Sequence, residues 1–563
     1  MAFDLLIRGG RIVDGTGVPA YTADIGITNG RIAEIGKINS SATRTIDADG
    51  LVVAPGVVDV HTHYDAQVCW DGVLASSAAH GITTVIQGNC GIGVAPCKPE
   101  HREVVLKDLV VLEGIPYDIL KTGIEWDFET FPQYLDVVRS RGMGINIAPL
   151  VPLSTLRRFM LGDAAVERAA TDHERAALSG HLREAMRAGA LGFSATLVMR
   201  QTGYMGKPLP CQLADKAELQ AYGKVLKDLG YGAIQVNVVT SLAKPTDEEL
   251  AKLDLLVEAS GRTVTYSGAM YRNDDPEAVE RMLRQVEPLR KRGAIPQTTI
   301  TPIMVELDLR SPYVFSDTPA FKQVLNRPLE EQKRLYGDPA WRRQVKTELA
   351  EGGRLFSGSW RTAAVHHVTK DHLKPLMNRT IEQIAADRRA DPADVMFDLA
   401  LEDNLEIKYL ADLVNTNPEH LARHICDPRV IIGSGDAGAH LDMLFQGGFP
   451  TYMLGHWVRE QKAISMEHAI RRMTSEPADY FGFTDRGRLK IGKAADIMMF
   501  DPNTVGSSAR ADQTLHDMPG GGLRLYAAPH GMHKVIVNGE LLLDEGKHTG
   551  RLPGMMVNGN PHL

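Results

Sequence analysis

The sequence predicts an α/β protein: a (β/α)8 barrel of the TIM type joined to a β-sandwich built from both chain ends. Apolar, β-branched runs alternate with helical stretches from residue 55 to about 484. Such alternation is typical of parallel strands joined by crossover helices. Short strand patterns separated by Gly and Asn-Gly turns occupy both ends, in 1–54 and 485–563. Strands this short need partners, so we expect the two ends to meet in one discontinuous domain.

The N-terminal part carries the clearest hairpin signal. Asn29-Gly30 separates the alternating runs 24–28 and 31–35, and Asn-Gly in this position favours a tight turn between antiparallel strands. The same pattern of short strand-like runs next to turn residues recurs in 492–501 and 534–543. These similar patterns predict that the two ends share a sheet.

The middle of the chain contains eight candidate barrel strands. They are 57–62, 82–88, 144–150, 191–195, 232–239, 262–267, 296–302 and 429–434. Helical periodicity is clear at 173–189, 247–260 and 380–403. Eight such strands close most economically as a barrel. Residues 304–380 are charged and rich in Arg, Pro and Trp, which predicts an inserted helical lobe on the rim that serves as a lid or substrate wall.

Composition narrows the function classes. The 563 residues are 44% hydrophobic and 23% charged, with a net charge of -8 and no prominent Lys/Arg cluster. This balance argues against nucleic acid and anionic membranes as partners. The N-terminus lacks a signal-peptide pattern, no apolar run has membrane-spanning length, and five cysteines are too few for a disulfide framework. We therefore expect a soluble, cytoplasmic protein that acts on a small molecule.

Four residues at predicted strand ends have the chemistry of a metal site. His61 and His63 end the first strand two residues apart, which puts both rings on one side of it. Cys90 follows the second strand between glycines, and Asp436 follows the last. The carboxyl ends of barrel strands meet at one rim, and thiolate beside imidazole favours Zn²⁺ over Mg²⁺ or Ca²⁺. Taken singly, each has a simpler reading: an ordinary histidine pair, a buried cysteine, a turn aspartate.

Motifs along most of the chain resemble the amidohydrolase superfamily and, within it, the D-aminoacylase (N-acyl-D-amino-acid deacylase) family. The motifs are Arg31-Ile-Ala-Glu-Ile-Gly36, Ala54-Pro-Gly-Val-Val-Asp-Val-His-Thr-His-Tyr-Asp65, Gly88-Asn-Cys-Gly91, Ala190-Leu-Gly-Phe-Ser194, Ser434-Gly-Asp-Ala-Gly438, Asp485-Arg-Gly-Arg-Leu489 and Ala494-Ala-Asp-Ile497. The resemblance implies a barrel with a β-sandwich. It also implies that Cys90 takes the place of a metal-bridging cysteine and that Asp436 is both ligand and general base.

The sequence departs from the family pattern at the second set of ligands. Relatives use histidines from strands five and six, but this chain has none between His181 and His366. It has 235–239 and 266–270 there, and strand four offers no lysine to bridge two metals. We therefore predict one strongly held Zn²⁺ on His61, His63, Cys90 and Asp436. A second ion would need a rim histidine such as His366 or His367, for which structural or substrate-contact roles are the alternatives.

A mechanism follows from this ligand set. The metal activates water and polarises the scissile carbonyl, and Asp436 moves the proton from the water to the leaving nitrogen. His440 is a candidate for stabilising the oxyanion or contacting the substrate, with capping or packing as the alternative. Asp65 is a candidate for orienting a metal-bound histidine. Tyr204 is a candidate substrate contact, with an exposed turn as the alternative.

The most favoured function is metal-dependent hydrolysis of a C–N bond other than a peptide bond, of the N-acyl amino acid type. The lysine and arginine with which relatives grip the substrate are not evident. Hydrolysis of a cyclic amide, imide, carbamate or lactone on the same scaffold therefore stays open. A third interpretation is a barrel that binds a ligand without catalysis, because the strand-five and strand-six histidines are missing. The resemblance also implies a homo-oligomer.

Overall fold

A computed structural model describes residues 2–199, 201–272, 275–315, 318–325, 327–351, 356, 359–433 and 435–560. The strands of these residues are, in chain order, β1 (Phe3–Ile12), β2 (Tyr21–Thr28), β3 (Arg31–Gly36), β4 (Ala42–Asp47), β5 (Val52–Pro55), β6 (Val57–Thr62), β7 (Ile82–Gln87), β8 (Asn146–Pro152), β9 (Gly192–Thr196), β10 (Ala233–Asn237), β11 (Thr263–Ser267), β12 (Ala294–Thr298), β13 (Ile303–Asp308), β14 (Ala364–His367), β15 (Lys408–Val414), β16 (Ile431–Ile432), β17 (Ile497–Phe500), β18 (Gln513–Met518), β19 (Gly522–Tyr526), β20 (Met532–Val537), β21 (Glu540–Asp544) and β22 (Lys547–His548).

Helices alternate with the central strands. They are α1 (Ala75–Ala78), α2 (Arg102–Glu113), α3 (Tyr117–Gly123), α4 (Phe131–Arg141), α5 (Leu153–Leu161), α6 (Asp172–Ala188), α7 (Lys216–Leu229), α8 (Asp247–Ser260), α9 (Ala278–Arg290), α10 (Leu329–Tyr336), α11 (Pro339–Ala350), α12 (Ile381–Arg388), α13 (Pro392–Glu402), α14 (Pro418–Ile425), α15 (Phe449–Tyr452), α16 (Met466–Met473) and α17 (Ser475–Phe481). Helix α15 continues as a π-helix over Met453–Glu460. In the described part of the chain, no helix is both long and apolar enough to cross a membrane.

Eight parallel strands form the predicted barrel sheet, in the order β6-β7-β8-β9-β10-β11-β12-β16. Strand β16 is only two residues long because the chain turns at Gly433, whose φ is 148°. A side chain at Gly433 would come within 2.4 Å of Val60 on β6, so the first and last strands approach closely here. The segment after β16 closes the barrel, because Asp436 N donates to His61 O at 2.9 Å. Ser434, the last residue of the predicted eighth strand, lies outside the described residues.

Apolar side chains from the barrel strands pack together as one core cluster. Its strand members are Val58, Val60, Ile86, Ala148, Leu150, Ala233, Ile295 and Ile431, with Leu191 immediately before β9. Phe481 and Phe483 join the same cluster, as does Val557 from the C-terminal tail. The barrel is thus filled with side chains, and chemistry is left to the strand ends.

Both chain ends share one sheet, as the similar strand and turn patterns at the two ends predicted. Nine strands of the described residues belong to it: β1–β5 together with β17 and β20–β22. The two ends join where β17 pairs antiparallel with β5. Buried Asp496 ties this sheet to the barrel, because its carboxylate accepts hydrogen bonds from Asn146 of β8 at 3.0 Å and from the backbone of Asn538 at 2.7 Å. The predicted fold class is therefore confirmed, while the bounds 1–54, 55–484 and 485–563 stay predictions.

Residues 270–278 and 302–418 form a separate compact unit. Where a helical lobe over 304–380 was expected, the unit contains a three-stranded antiparallel sheet, β13-β15-β14, in its described residues. Helices α10–α13 accompany it, and four aromatic side chains from them and the preceding turn form its core: Phe321, Tyr336, Trp341 and Phe397. The predicted helix 380–403 is split in two, because Asp391 caps a new helix that begins at Pro392. The predicted helical lobe over 304–380 therefore contains helices α10 and α11 but also strands β13 and β14, which the prediction did not include.

A candidate metal centre at the ends of the barrel strands

The two imidazoles of the His-x-His motif lie side by side at the end of β6. Strand β6 is buried along its whole length, and Val58 and Val60 point into the barrel core. The register of β6 against β7 shifts between Asp59 and Thr62, and beyond this irregularity both imidazoles turn Nε2 towards Cys90. They are only 4% and 3% exposed, and their ring centroids are 5.3 Å apart.

Cys90 is held in a strained turn after β7. Its φ is 59°, and Gly88 and Gly91 beside it also have positive φ. Gln235 of β10 accepts a hydrogen bond from Cys90 N at 2.6 Å, and Thr196 of β9 donates to Cys90 O at 2.7 Å. A non-glycine residue in this conformation persists only where its surroundings fix it. Two neighbouring strands therefore set the position of the thiol.

The thiol of Cys90 faces both imidazoles. Cys90 Sγ is 3.3 Å from His61 Nε2 and 3.9 Å from His63 Nε2. Burial raises the pKa of the thiol, but the two imidazoles outweigh this and bring the pKa of Cys90 down to about 6. Cys90 is thus a thiolate at neutral pH, which is the form that binds metals.

Asp436 reaches the same two imidazoles from the loop after β16. Its Oδ1 is 3.1 Å from His63 Nε2 and 3.8 Å from His61 Nε2. Its backbone has a φ of 45°. Burial works to raise the pKa of Asp436, but the hydrogen bond and charge of His63 hold it well below its usual range. The structure therefore brings His61, His63 and Cys90 together as one group of potential ligands, with Asp436 beside the two imidazoles.

A directional chain of hydrogen bonds orients His61. The carbonyl of Ile234 can only accept, so Thr265 donates to it with its hydroxyl. Thr265 in turn accepts from Gln297 Nε2 at 3.1 Å, which leaves Gln297 Oε1 to accept from His61 Nδ1 at 2.7 Å. His61 Nδ1 must then carry the proton. In the neutral ring the lone pair of His61 then lies on Nε2, on the side of Cys90 and Asp436, as a metal ligand requires.

Two glutamines thus support the site at strand ends. Gln235 is fully buried on β10, strand five, and holds the backbone of Cys90. Gln297 is on β12, strand seven, and orients His61. From the sequence, Gln235 stood out only as a residue in place of an expected ligand, and Gln297 was not predicted to have a role. The sequence feature that could have revealed both glutamines is a polar residue near the end of a mainly apolar barrel strand.

Glu113 is a further acidic residue at the site, and it was not predicted from the sequence. It is the last residue of α2, only 5% exposed, and its Oε2 is 3.5 Å from His63 Nε2. Burial is the main reason that the pKa of Glu113 rises to about 7. A signal was present in the sequence, because an acidic residue in the last turn of a helix opposes the helix dipole.

His440 and Asp65 were also predicted to have roles near the strand ends. His440 Nε2 lies 3.8 Å from Asp436 Oδ2. The carboxylate of Asp65 accepts from Gly88 N at 3.0 Å and, among the described residues, bonds neither imidazole. The orienting role predicted for Asp65 is therefore wrong for His61, whose Nδ1 is held by Gln297.

The other predicted substrate contacts lie on a loop and in the second unit. Tyr204 begins a short 3-10 turn, where Lys107 Nζ lies 3.4 Å from its hydroxyl and Asp108 accepts from its backbone N at 2.7 Å. His366 and His367 are exposed on β14 of the unit 302–418. His366 Nε2 is 3.7 Å from Glu306 Oε2. Their predicted roles stay predictions.

The donor set fits a zinc ion. Ligand atoms that surround one tetrahedral ion at about 2.0–2.3 Å stand about 3.3–3.8 Å apart. The ligand atoms of His61, His63 and Cys90 lie within 4.8 Å of one another. The four pair distances among these residues and Asp436 given above run from 3.1 to 3.9 Å. Binding then needs only small adjustments of the side chains.

Comparison with known proteins identifies the family to which the chain is similar. The model of the Amidohydrolase family matches residues 44–293 and 356–542. A D-aminoacylase from Alcaligenes xylosoxydans xylosoxydans is 29% identical over 98% of this chain and 97% of its own length. A D-aminoacylase crystal structure superposes with a TM-score of 0.67 at 23% identity, covering 99% of this chain and all of that one.

A second solved structure is similar over the same extent. It is an N-acyl-D-glutamate deacylase from Bordetella bronchiseptica complexed with zinc and a phosphonate inhibitor. Its TM-score is 0.65 at 24% identity, and it covers 99% of this chain and all of that one. The resemblance drawn from the motifs is confirmed: this chain belongs to the amidohydrolase family.

Proposed function

We propose that this chain is a zinc-dependent amidohydrolase that removes the acyl group from N-acyl amino acids, with the D-configured substrates as the first choice. One observation carries the proposal. The Nε2 atom of each of the two imidazoles at the end of β6 has the Cys90 sulfur and an Asp436 carboxylate oxygen within 3.1 to 3.9 Å. A bound zinc ion would supply a Lewis acid that polarises the scissile carbonyl and makes water a nucleophile at neutral pH.

The chain's own groups divide the remaining work. His61 and His63 present Nε2 to the ion, and the Gln297 hydrogen bond keeps His61 in the tautomer that can do so. Cys90, lowered in pKa to about 6, stays deprotonated. These three residues hold the ion and have no proton to give to the substrate.

Asp436 is suited to move the proton. Its Oδ1 faces the imidazoles, while Oδ2 lies on the side of His440 at 3.8 Å. The Asp436 side chain is 31% exposed, unlike the nearly inaccessible histidines, so substrate and water reach it. Asp436 Oδ2 accepts the proton of the attacking water and returns it to the leaving nitrogen, a contribution of about 10² to 10⁴-fold. His440, across from Oδ2, contacts the substrate on that side.

The substrate class is supported by the full-length likeness to a D-aminoacylase and by the deacylase of the same fold. The decisive experiment is a panel assayed on zinc-loaded protein: N-acetyl-D-amino acids with apolar and acidic side chains, their L-isomers, and uncharged cyclic amides and imides. We expect the D-isomers to be hydrolysed. Turnover of the cyclic compounds alone would replace the proposal with the cyclic-amide alternative.

The metal and the compartment are part of the same proposal. Soft thiolate beside imidazole favours zinc among the available divalent ions. None of the five cysteines forms a disulfide in the structure, which suits a reducing, cytoplasmic compartment. Metal analysis of protein purified without added metal tests the first point, and we expect zinc to be the main ion. Homo-oligomerisation stays a prediction for sedimentation analysis.

A further inference from the structure

We propose that Glu113 is an additional metal ligand, delivered to the site by the end of helix α2 and not by a barrel strand. The inference rests on the proposed function, since it concerns the same metal centre. It changes the ligand set to two imidazoles, one thiolate and two carboxylates. It also explains how the site functions without the histidines of strands five and six.

The position of the carboxylate is the first argument. Glu113 Oε2 lies 3.5 Å from His63 Nε2, close to the 3.1 Å between Asp436 Oδ1 and the same nitrogen. Two ligands at about 2.0–2.1 Å from one zinc ion are separated by about 3.3–3.5 Å. Glu113 is thus at ligand spacing from the atom of His63 that faces Asp436 and Cys90.

Burial and charge are the second argument. Glu113 is 5% exposed, and no lysine or arginine nitrogen within the described ranges forms an ion pair with its carboxylate. A buried carboxylate without a cation is costly. The anionic groups Cys90 and Asp436 already surround the imidazoles of His63 and His440, so these two rings are shared among three acidic groups and do not balance Glu113. A divalent ion in contact with the carboxylate removes this cost.

The backbone around Glu113 is the third argument. Helix α2 ends at Glu113, and Gly114 follows with a φ of 57°. The backbone carbonyl of Glu113 accepts a hydrogen bond from His440 N at 2.5 Å, which fixes the helix end against the loop that carries Asp436. A Cβ at Gly114 would come within 3.1 Å of His440 Nδ1, so the two segments are closely packed. The helix end is therefore positioned by the same loop as the other carboxylate.

The roles of the two glutamines agree with this ligand set. Gln235 and Gln297 face inward on strands five and seven, but each is used in a hydrogen bond, to Cys90 N and to His61 Nδ1 respectively. They position ligands and do not replace them. Gln235 is therefore not available as a ligand from strand five, whereas Glu113, outside the strands, is an acidic side chain in contact with His63.

The test compares metal binding in Glu113→Gln with that of the unaltered chain. Metal is removed by a chelator, Co²⁺ is titrated back, and the visible absorption is followed: the d–d bands report coordination number and the sulfur-to-cobalt band reports Cys90. We expect Glu113→Gln to keep the sulfur band, to change the d–d intensity, and to weaken Co²⁺ binding by at least about 10-fold, the lower end of what loss of even a supporting residue costs. Glu113→Asp, which keeps the carboxylate, should recover part of the affinity.

Glu103→Gln is the matched control. Glu103 is exposed on the same helix and pairs with Lys107 at 3.0 Å, away from the metal residues. It should bind Co²⁺ like the unaltered chain. Equal affinity and equal spectra for Glu113→Gln would overturn the inference while leaving the proposed function intact. Failure of the unaltered chain to bind Co²⁺ would overturn the proposed function itself, so the two outcomes are distinct.

Discussion

Gln297→Leu tests the orientation of His61 by its hydrogen-bond chain. Leucine fills a similar volume but cannot accept a hydrogen bond from His61 Nδ1. In the unaltered chain this buried nitrogen is hydrogen-bonded to Gln297 Oε1 at 2.7 Å. An unsatisfied buried donor costs about 1–3 kcal/mol in stability. Loss of the partner of a metal-ligating histidine costs about 10–100-fold in metal affinity, which corresponds to about 1.4–2.7 kcal/mol.

Gln297→Glu separates orientation from packing. A carboxylate still accepts from His61 Nδ1, more strongly than an amide, and the Thr265 hydroxyl can turn to donate to it. Zinc affinity, measured by competition with a chromophoric chelator, should fall in Gln297→Leu and be retained in Gln297→Glu.

Gln87→Leu is the control for that pair of variants. Gln87 is a fully buried glutamine at the end of β7 that donates to Tyr134 at 2.9 Å. Its replacement should lower the melting temperature without changing zinc affinity. Unchanged affinity in Gln297→Leu would refute the account of how His61 is held.

Three further variants extend the test. Cys90→Ser should lower zinc affinity by more than any supporting residue, because it removes a ligand that is a thiolate at neutral pH; competition titration checks this, and unchanged affinity would count against a thiolate ligand. Asp436→Asn should reduce kcat by about 10² to 10⁴-fold with an unchanged circular dichroism spectrum, and full turnover would exclude Asp436 as the base. His80→Gln tests how the free energy of unfolding depends on pH. Burial lowers the pKa of His80 from 6.5 to about 3, so between these pH values the unfolded chain binds a proton at His80 and the folded chain does not. The stability that neutral His80 provides is therefore present above pH 6.5 and is lost as the pH falls from there towards 3. Between pH 7 and pH 5 the unaltered chain should lose about 2 kcal/mol more than His80→Gln in urea unfolding; equal losses would contradict this.

The barrel was predictable because its signals are local. Strand β6 follows Gly56 and strand β7 lies between Gly81 and Gly88, and the ends of these short strands carry His61, His63 and Cys90 within a few residues. Parallel strands place their carboxyl ends at one rim, so proximity of these side chains follows from the fold class alone. The hairpin at Asn29 is local in the same way.

What the sequence did not reveal depends on distant partners. Strand β13 pairs with β15, about 100 residues later in the chain, so neither showed a hairpin signal. Glu113 lies on a helix, and only its unfavourable position relative to the dipole distinguished it from a surface acid. The roles of Gln235 and Gln297 depend on contacts with other strand ends.

The most direct test of the metal centre is zinc K-edge X-ray absorption of the purified protein. The account predicts one sulfur scatterer at about 2.3 Å beside nitrogen and oxygen at about 2.0–2.1 Å. The sulfur contribution should vanish in Cys90→Ser and persist in Glu113→Gln. A zinc spectrum of the unaltered chain that contains only nitrogen and oxygen scatterers would contradict the central claim that Cys90 and the two imidazoles hold one ion.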